Sequence, residues 1–172
     1  MGCQRSASRL PALGSAQALA SLSERRLCGP ATYGHVQGDS CLKQIAEVAQ
    51  NMVVRPGDLV ARFGGEEFAV ILPDTDSEGA IELAHEICEA LRSRKLPHNS
   101  NPVGIMTVSA ACATMVPSFG LHSVKLVELA DEALYKAKRS DRNQVCNGNG
   151  MNGAGAESQY NGFSEAAVGK TA

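Results

Sequence analysis

Gly64-Gly65-Glu66-Glu67 is the stretch of this 172-residue chain whose residue types and spacing could do chemistry. Leu59, Val60 and Phe63 lead into it, and Phe68, Ala69, Val70, Ile71 and Leu72 lead out. A Gly-Gly pair between two β-prone apolar runs predicts a tight hairpin over 59–73, because glycine takes positive φ without steric cost. Such a turn presents bare backbone N–H groups to anything that docks on it. Glu66 and Glu67 follow at once, offering hard oxygen donors suited to Mg2+. Bare backbone, a turn and paired carboxylates together suit a nucleoside triphosphate carried with its metal. The competing reading is an ordinary hairpin whose two glutamates are solvated surface charges.

Composition narrows the setting. A chain of this length suits one domain with a tail, since domains usually hold ~100–150 residues. The hydrophobic share of 44% is that of a globular protein with a real core. A net charge of −2 argues against a nucleic-acid surface, which normally shows a basic bias. No run of ~18 apolar residues exists, so no membrane segment is expected. Arg5 and Arg9 stand near the N-terminus, but Gly, Ser and Gln interrupt the apolar run there, which argues against a secretory signal. Cys3, Cys28, Cys41, Cys88, Cys112 and Cys146 form no C-x-x-C pair and are irregularly spaced. They predict reduced thiols and a cytoplasmic location, with Cys88 and Cys112 acting as small hydrophobes inside apolar patterns. His35, His85, His98 and His122 show no metal-ligand spacing.

Three zones follow along the chain. Residues 1–32 carry no clear strand, 33–146 alternate helix and strand signals, and the Gly/Asn-rich 147–172 are expected to be disordered. Asp39 reads as the N-cap of a helix to about Val53, with Leu42, Ile45, Ala46, Ala49 and Val53 on one face. Arg55-Pro56-Gly57-Asp58 ends it as a turn. After the hairpin, Thr75 and Glu78 form a capping-box pattern opening a helix to about Arg94, which buries Ile81, Ala84, Ile87, Cys88 and Leu91. Residues 105–116 read as a strand of small residues. Ser123 caps a last helix to about Arg139, burying Leu126, Ala130, Ala133, Leu134 and Ala137. Lys138 and Arg142, four apart, read as one face of a basic helix end that favours the helix dipole. Residues 143–146 add a short strand. The sum is an α/β fold, a mixed central sheet flanked by helices. Such a layout needs a strand before the first helix. None is visible, because residues 10–27 read as helical or disordered, so the sheet is expected to lack its first central strand.

Three motifs in order now coincide with a known family. Gly64-Gly65-Glu66-Glu67-Phe68 is joined by Gly34-His35-Val36-Gln37-Gly38-Asp39-Ser40-Cys41-Leu42 upstream. Downstream stands Ala130-Asp131-Glu132-Ala133-Leu134-Tyr135-Lys136-Ala137-Lys138, followed by Arg139-Ser140-Asp141-Arg142-Asn143. Over roughly two-thirds of its length the chain resembles the GGDEF domain of diguanylate cyclases, which join two GTP molecules into cyclic di-GMP across a homodimer. The resemblance implies a nucleotide-cyclase-like fold for 33–146. It implies that Gly64 and Gly65 let the backbone lie against GTP. Glu66 would help hold the metal and assist deprotonation of the ribose 3′-OH, and Glu67 would complete coordination of Mg2+ (or Mn2+). Asp39 would accept from the guanine edge, with its role as a helix cap kept open beside this. Lys138 and Arg142 become phosphate clamps. Arg55 and Asp58 match the family's R-x-x-D site, which binds the cyclic di-GMP product and inhibits, while a plain turn stays the alternative.

The front end departs from the family. Its first strand carries a segment like D-x-D-x-F-K-x-x-N-D, whose first aspartate binds metal and whose asparagine reads guanine. Pro30-Ala31-Thr32 stands where that run should end, and residues 10–27 hold no aspartate. The chain thus reads as a GGDEF domain with residues 1–32 as a non-matching segment. Two function classes remain open: a cyclase whose activity is weak or lost, and a degenerate module that binds cyclic di-GMP or GTP without turnover. No nucleic-acid partner is implied.

Overall fold

Gln17–Glu24, read from sequence as helical or disordered, is an eight-residue strand, β1, and it lies in the middle of the sheet. The computed structural model describes residues 16–24, 35–98, 101–120, 122–140 and 142–149. The expectation of a sheet without its central strand is therefore corrected. Ala18, Ala20 and Leu22 point into one core cluster, while Leu19 packs into another with Ala113 and Ala130 on the opposite face. Both faces are covered, so β1 lacks the apolar-in, polar-out contrast by which a strand is recognised.

The remaining elements follow the expected order. They are α1 (His35–Met52), β2 (Leu59–Gly64), β3 (Glu67–Pro73), α2 (Ser77–Ser93), β4 (Val108–Met115), α3 (Ser123–Arg139) and β5 (Val145–Asn147). The strand order is β2-β3-β1-β4-β5, antiparallel throughout except for the parallel β4–β5 pair. Ile45, Val48 and Ala49 of α1 and Ala80, Leu83, Ala84, Ile87 and Leu91 of α2 bury against one face of the sheet. On the other face α3 sets Ala130, Ala133 and Leu134 over β1 and β4. The small residues of β4 (Ala110, Ala111, Cys112, Ala113) permit helices to approach from both sides. Among the described residues nothing comparable covers the β2–β3 half of the α3 face, and Leu59, Phe63 and Ile71 are exposed there.

Helix ends differ from expectation in physically simple ways. Helix α1 begins at His35, so Asp39 lies inside it rather than capping it. Asp76, not Thr75, caps α2: its Oδ1 accepts from the Gly79 N–H at 2.8 Å. Thr75 is instead buried, its N–H donating to the Ala16 carbonyl at 3.0 Å and its hydroxyl to the Pro73 carbonyl at 3.1 Å. His122, without a side-chain cap bond, precedes α3, and Ser123 is its first helical residue. At the other end, Asn149 accepts from the Thr114 N–H at 2.7 Å and donates to the Thr114 carbonyl at 2.6 Å, so the described chain runs past the boundary expected at 147. Residues 1–15 and 150–172, including all but the first three residues of the expected disordered tail, lie outside the described residues. Among the described residues no helix is long and apolar enough to cross a membrane.

Two features of the core carry predictions. The Gly148 N–H donates to the Cys112 carbonyl at 2.7 Å, and a Cβ placed there would lie 2.8 Å from the Leu129 carbonyl oxygen. That neighbour is backbone and cannot swing aside, so Gly148→Ala should lose about 1–3 kcal/mol of stability in urea unfolding. Burial also pushes the thiols of Cys88 and Cys112 up from 9.0 to about 12. A thiol with a raised folded pKa holds its proton longer in the folded state. Its contribution is complete below the unfolded value of 9.0 and fades as pH climbs toward 12. Urea midpoints followed upward from neutral pH should therefore fall beyond pH 9, and Cys112→Ala should flatten that decline.

Candidate functional site

The hairpin forms as its residue types require. Strands β2 and β3 pair from Leu59↔Ile71 to Arg62↔Phe68, with a register shift before Gly64↔Glu67. Gly65 occupies the turn at φ +51°, the left-handed region that glycine enters most easily. Gly64 is not in that region, and among the described residues a Cβ on either glycine would meet nothing within 4 Å. The backbone of the turn is thus bare on its outer side, and any demand for glycine at 64 comes from outside the fold. Arg62 closes the turn internally: its Nε and Nη2 donate to the Gly65 carbonyl at 2.9 and 2.6 Å. Sequence reasoning did not single out Arg62.

Glu66 lies in the turn and Glu67 opens β3, so the two carboxylates leave the backbone at one end of the hairpin. Lys138, in the last turn of α3, donates from Nζ to Glu67 Oε1 at 2.5 Å, with both side chains about a third exposed. Sequence analysis named both residues but assigned Lys138 to a ligand's phosphates. The structure gives its ammonium a partner within the chain. Across the ladder, Ser23 of β1 stands directly opposite Glu67, and Ser21 opposite Ala69. Both serines are buried, and both share the α3 face with Leu19 because side chains alternate along a strand. Ser21, Glu67, Phe63, Ile71, Val127 and Asp131 line an open trough beside the turn.

The other expected residues lie apart from this pair. Asp39 sits on α1 and pairs with Lys43 at 3.0 Å, an exposed i,i+4 bridge worth little stability. Arg142 does not share a helix face with Lys138. Helix α3 stops at Arg139, and Arg142 and Asn143 follow at φ +59° and +47°, two left-handed residues that turn the chain toward β5. The Asn143 N–H then donates to Ser109 Oγ at 3.1 Å. Lys136, Lys138 and Arg139 do form the basic last turn of α3, matched to its carbonyl end.

Arg55 and Asp58 meet in a two-pronged ion pair. Nε and Nη2 of Arg55 donate to Oδ2 and Oδ1 of Asp58, each at 3.0 Å. The same Nη2 donates to the Pro73 carbonyl at 3.1 Å and to Thr75 Oγ1. Asp58 is nearly buried in this contact. The R-x-x-D turn therefore fastens the start of β2 to the end of β3 and the approach to α2.

Among the described residues no group of three or more His, Cys, Asp or Glu side chains converges as a metal site. The donor set at the hairpin is the pair of glutamates. It fits a cation such as Mg2+, which takes one or two carboxylates and completes its octahedron with water and substrate phosphates, and it is not a self-sufficient cage.

Comparison with known proteins agrees with this architecture. Residues 30–144 match the family model "Diguanylate cyclase, GGDEF domain". Diguanylate cyclase A of Treponema denticola is 35% identical over 115 residues, a match spanning 66% of this chain and 30% of that protein. Diguanylate cyclase DgcP of Pseudomonas aeruginosa is 36% identical over 115 residues, spanning 66% of this chain and 16% of that protein. The chain thus spans less than a third of either relative. Among solved structures, the GGDEF domain of DgcB from Caulobacter crescentus, in complex with c-di-GMP, superimposes with a TM-score of 0.69 at 33% identity, covering 78% of this chain and 79% of that one. The active GGEEF domain of a diguanylate cyclase from Vibrio cholerae gives 0.67 at 26% identity, covering 77% and 83%. By these matches and by its five-stranded sheet, the chain belongs to the GGDEF family of diguanylate cyclases.

Proposed function

We propose that this domain binds GTP with Mg2+ at the Gly64–Glu67 turn, and that its synthesis of cyclic di-GMP from two GTP is weak or lost. The observation that carries the reading is the pairing across β1 and β3. Glu66 and Glu67 stand at an open turn, and the β1 residues beside this end of β3, Ser21 and Ser23, are neutral, whereas the family resemblance leads one to expect a metal-binding aspartate on the first strand. A serine hydroxyl is a neutral, weak ligand, so these two described positions add no anionic donor to the glutamate pair.

In the productive geometry two copies of the domain face each other, since each offers one turn and the product needs two nucleotides. Gly64 and Gly65 let the triphosphate lie along the backbone. Glu67, with Glu66 beside it, would hold the cation. Glu66 takes the proton of the ribose 3′-OH as its oxygen bonds to the α-phosphorus of the second GTP and the bridge to the β-phosphate breaks. A cation held there would supply neutralisation of the charge on departing pyrophosphate. Asp39 on α1, whose exposed pair with Lys43 engages only one carboxylate oxygen, would offer the other to guanine, and Arg142 would meet phosphate from the loop after α3.

Loss of even a supporting group around a metal usually lowers affinity or activity ~10–100-fold, and an inner ligand costs more. Purified protein incubated with GTP and Mg2+ should therefore form cyclic di-GMP at least ~100-fold more slowly than an intact GGDEF domain, as followed by chromatography. Glu66→Ala should remove what turnover there is. Calorimetry should still register GTP binding in the parent. Turnover at the rate of an intact domain refutes the loss of activity, and absence of GTP binding refutes the reading as a whole.

A second reading, a module that binds cyclic di-GMP at Arg55 and Asp58, draws on the paired geometry of that turn. A guanidinium already held flat by Asp58 can stack on a guanine or meet a phosphate without being reordered. Calorimetry with cyclic di-GMP on the parent and on Arg55→Lys tests it. Lysine keeps the charge and loses the fork, so affinity should fall at least tenfold, by about 1.4 kcal/mol. Unchanged affinity confines Arg55 to its role as a fastener.

A further inference from the structure

The Lys138–Glu67 contact joins residues 71 apart in sequence and ties the end of α3 to the first residue of β3. Resting on the nucleotide-binding reading above, we propose that Lys138 is a resident counter-ion of Glu67 that makes the turn select a divalent cation already complexed to a triphosphate over the free cation. The argument is one of charge balance. A free divalent cation approaching Glu67 meets an ammonium 2.5 Å from the carboxylate oxygen it needs. It must expel that ammonium into solvent or sit beside a like charge. A metal-free triphosphate fares no better, because it brings its own negative charge to a turn that already carries the carboxylates of Glu66 and Glu67.

The complex of the two escapes both penalties. Its cation takes over Glu67, and the displaced ammonium moves onto the phosphate oxygens that arrive with it. One ion pair is exchanged for another, and no charge is left without a partner. Lysine suits the exchange, being a compact charge on a flexible stem, and this side chain is about a third exposed, so it has room to swing. Such an arrangement is a coupling free energy between metal and nucleotide, and it requires each to raise the affinity of the other by the same factor.

The test uses the full chain and two probes: Mn2+ alone, followed by electron paramagnetic resonance of the free ion, and Mn2+ with a GTP analogue whose α,β-bridge is a methylene. Lys138→Met should bind free Mn2+ about threefold tighter, the scale of a partly exposed ion pair. It should bind the Mn2+–analogue complex more weakly than the parent does. Lys138→Arg keeps the charge and should keep the parent's ranking. If Lys138→Met binds the analogue complex but shows no gain for free Mn2+, the counter-ion role is refuted while the nucleotide reading stands. If no variant nor the parent binds the analogue, the nucleotide reading falls and selection falls with it, while tighter Mn2+ binding by Lys138→Met still establishes the competition for Glu67.

Discussion

Everything in this domain hangs on the two ladders of β1. One edge of Gln17–Glu24 pairs with β3 from Gln17↔Pro73 to Ser23↔Glu67, and the other with β4 from Gln17↔Met115 to Glu24↔Val108. A central strand satisfies its own backbone groups and those of both neighbours, and without it two interior edges would stand bare. The same register decides the chemistry. With a side-chain period of two, a slip of one residue would bring Leu22 opposite Glu67 and push Ser21 and Ser23 into the apolar cluster beside Ile45 and Val70. The position of Glu67 against Ser23 is therefore a consequence of how Leu22, Ala20 and Ala18 fill the core beneath α1 and α2.

How much of this was legible depended on contrast. Helices α1, α2 and α3 each set one apolar face against charged residues, and the hairpin announces itself by glycine between β-branched and aromatic runs. These elements were placed to within a few residues. Strand β1 was missed because Ala-Leu-Ala-Ser-Leu-Ser is small, buried on both faces and free of β-branched residues, so local propensity carries almost no signal there. It is a strand because its neighbours are. The caps at Asp39 and Thr75 failed for a related reason: each is a good capping residue by type, but the helix had begun one turn earlier in the first case and began one residue later in the second.

The site was legible in its parts and not in its pairings. Glu66, Glu67, Gly65 and Lys138 could be named from motif and chemistry, but nothing local links Lys138 to Glu67, which meet only because α3 lies along β1 and β4 and ends at the turn. Arg142 shows the converse. Four residues after Lys138 it would share a face if the helix continued, and no proline or glycine warns that it does not. Ser140 ends the helix, and the left-handed pair Arg142-Asn143 redirects the chain so that Asn143 can reach Ser109.

The same geometry separates holding a nucleotide from transforming it. The groups assigned here to holding GTP at the turn come from the hairpin and the end of α3, elements locked by Arg62 on Gly65 and by Lys138 on Glu67. Ser21 and Ser23 come from β1, a strand paired along both edges, and on its α3-facing side it is Leu19, packed with Ala113 and Ala130, that supplies the apolar contact. Serine at 21 and 23 is thus compatible with the sheet and, on the proposed reading, adds no negative charge to the wall facing Glu67. A divalent cation bound between two carboxylates and a triphosphate is held mainly by the charge on its ligands, so removing one anionic wall weakens the cation's purchase on the reacting phosphate more than it weakens the backbone's contact with the nucleotide. On the proposed reading, affinity and turnover therefore part company in this chain.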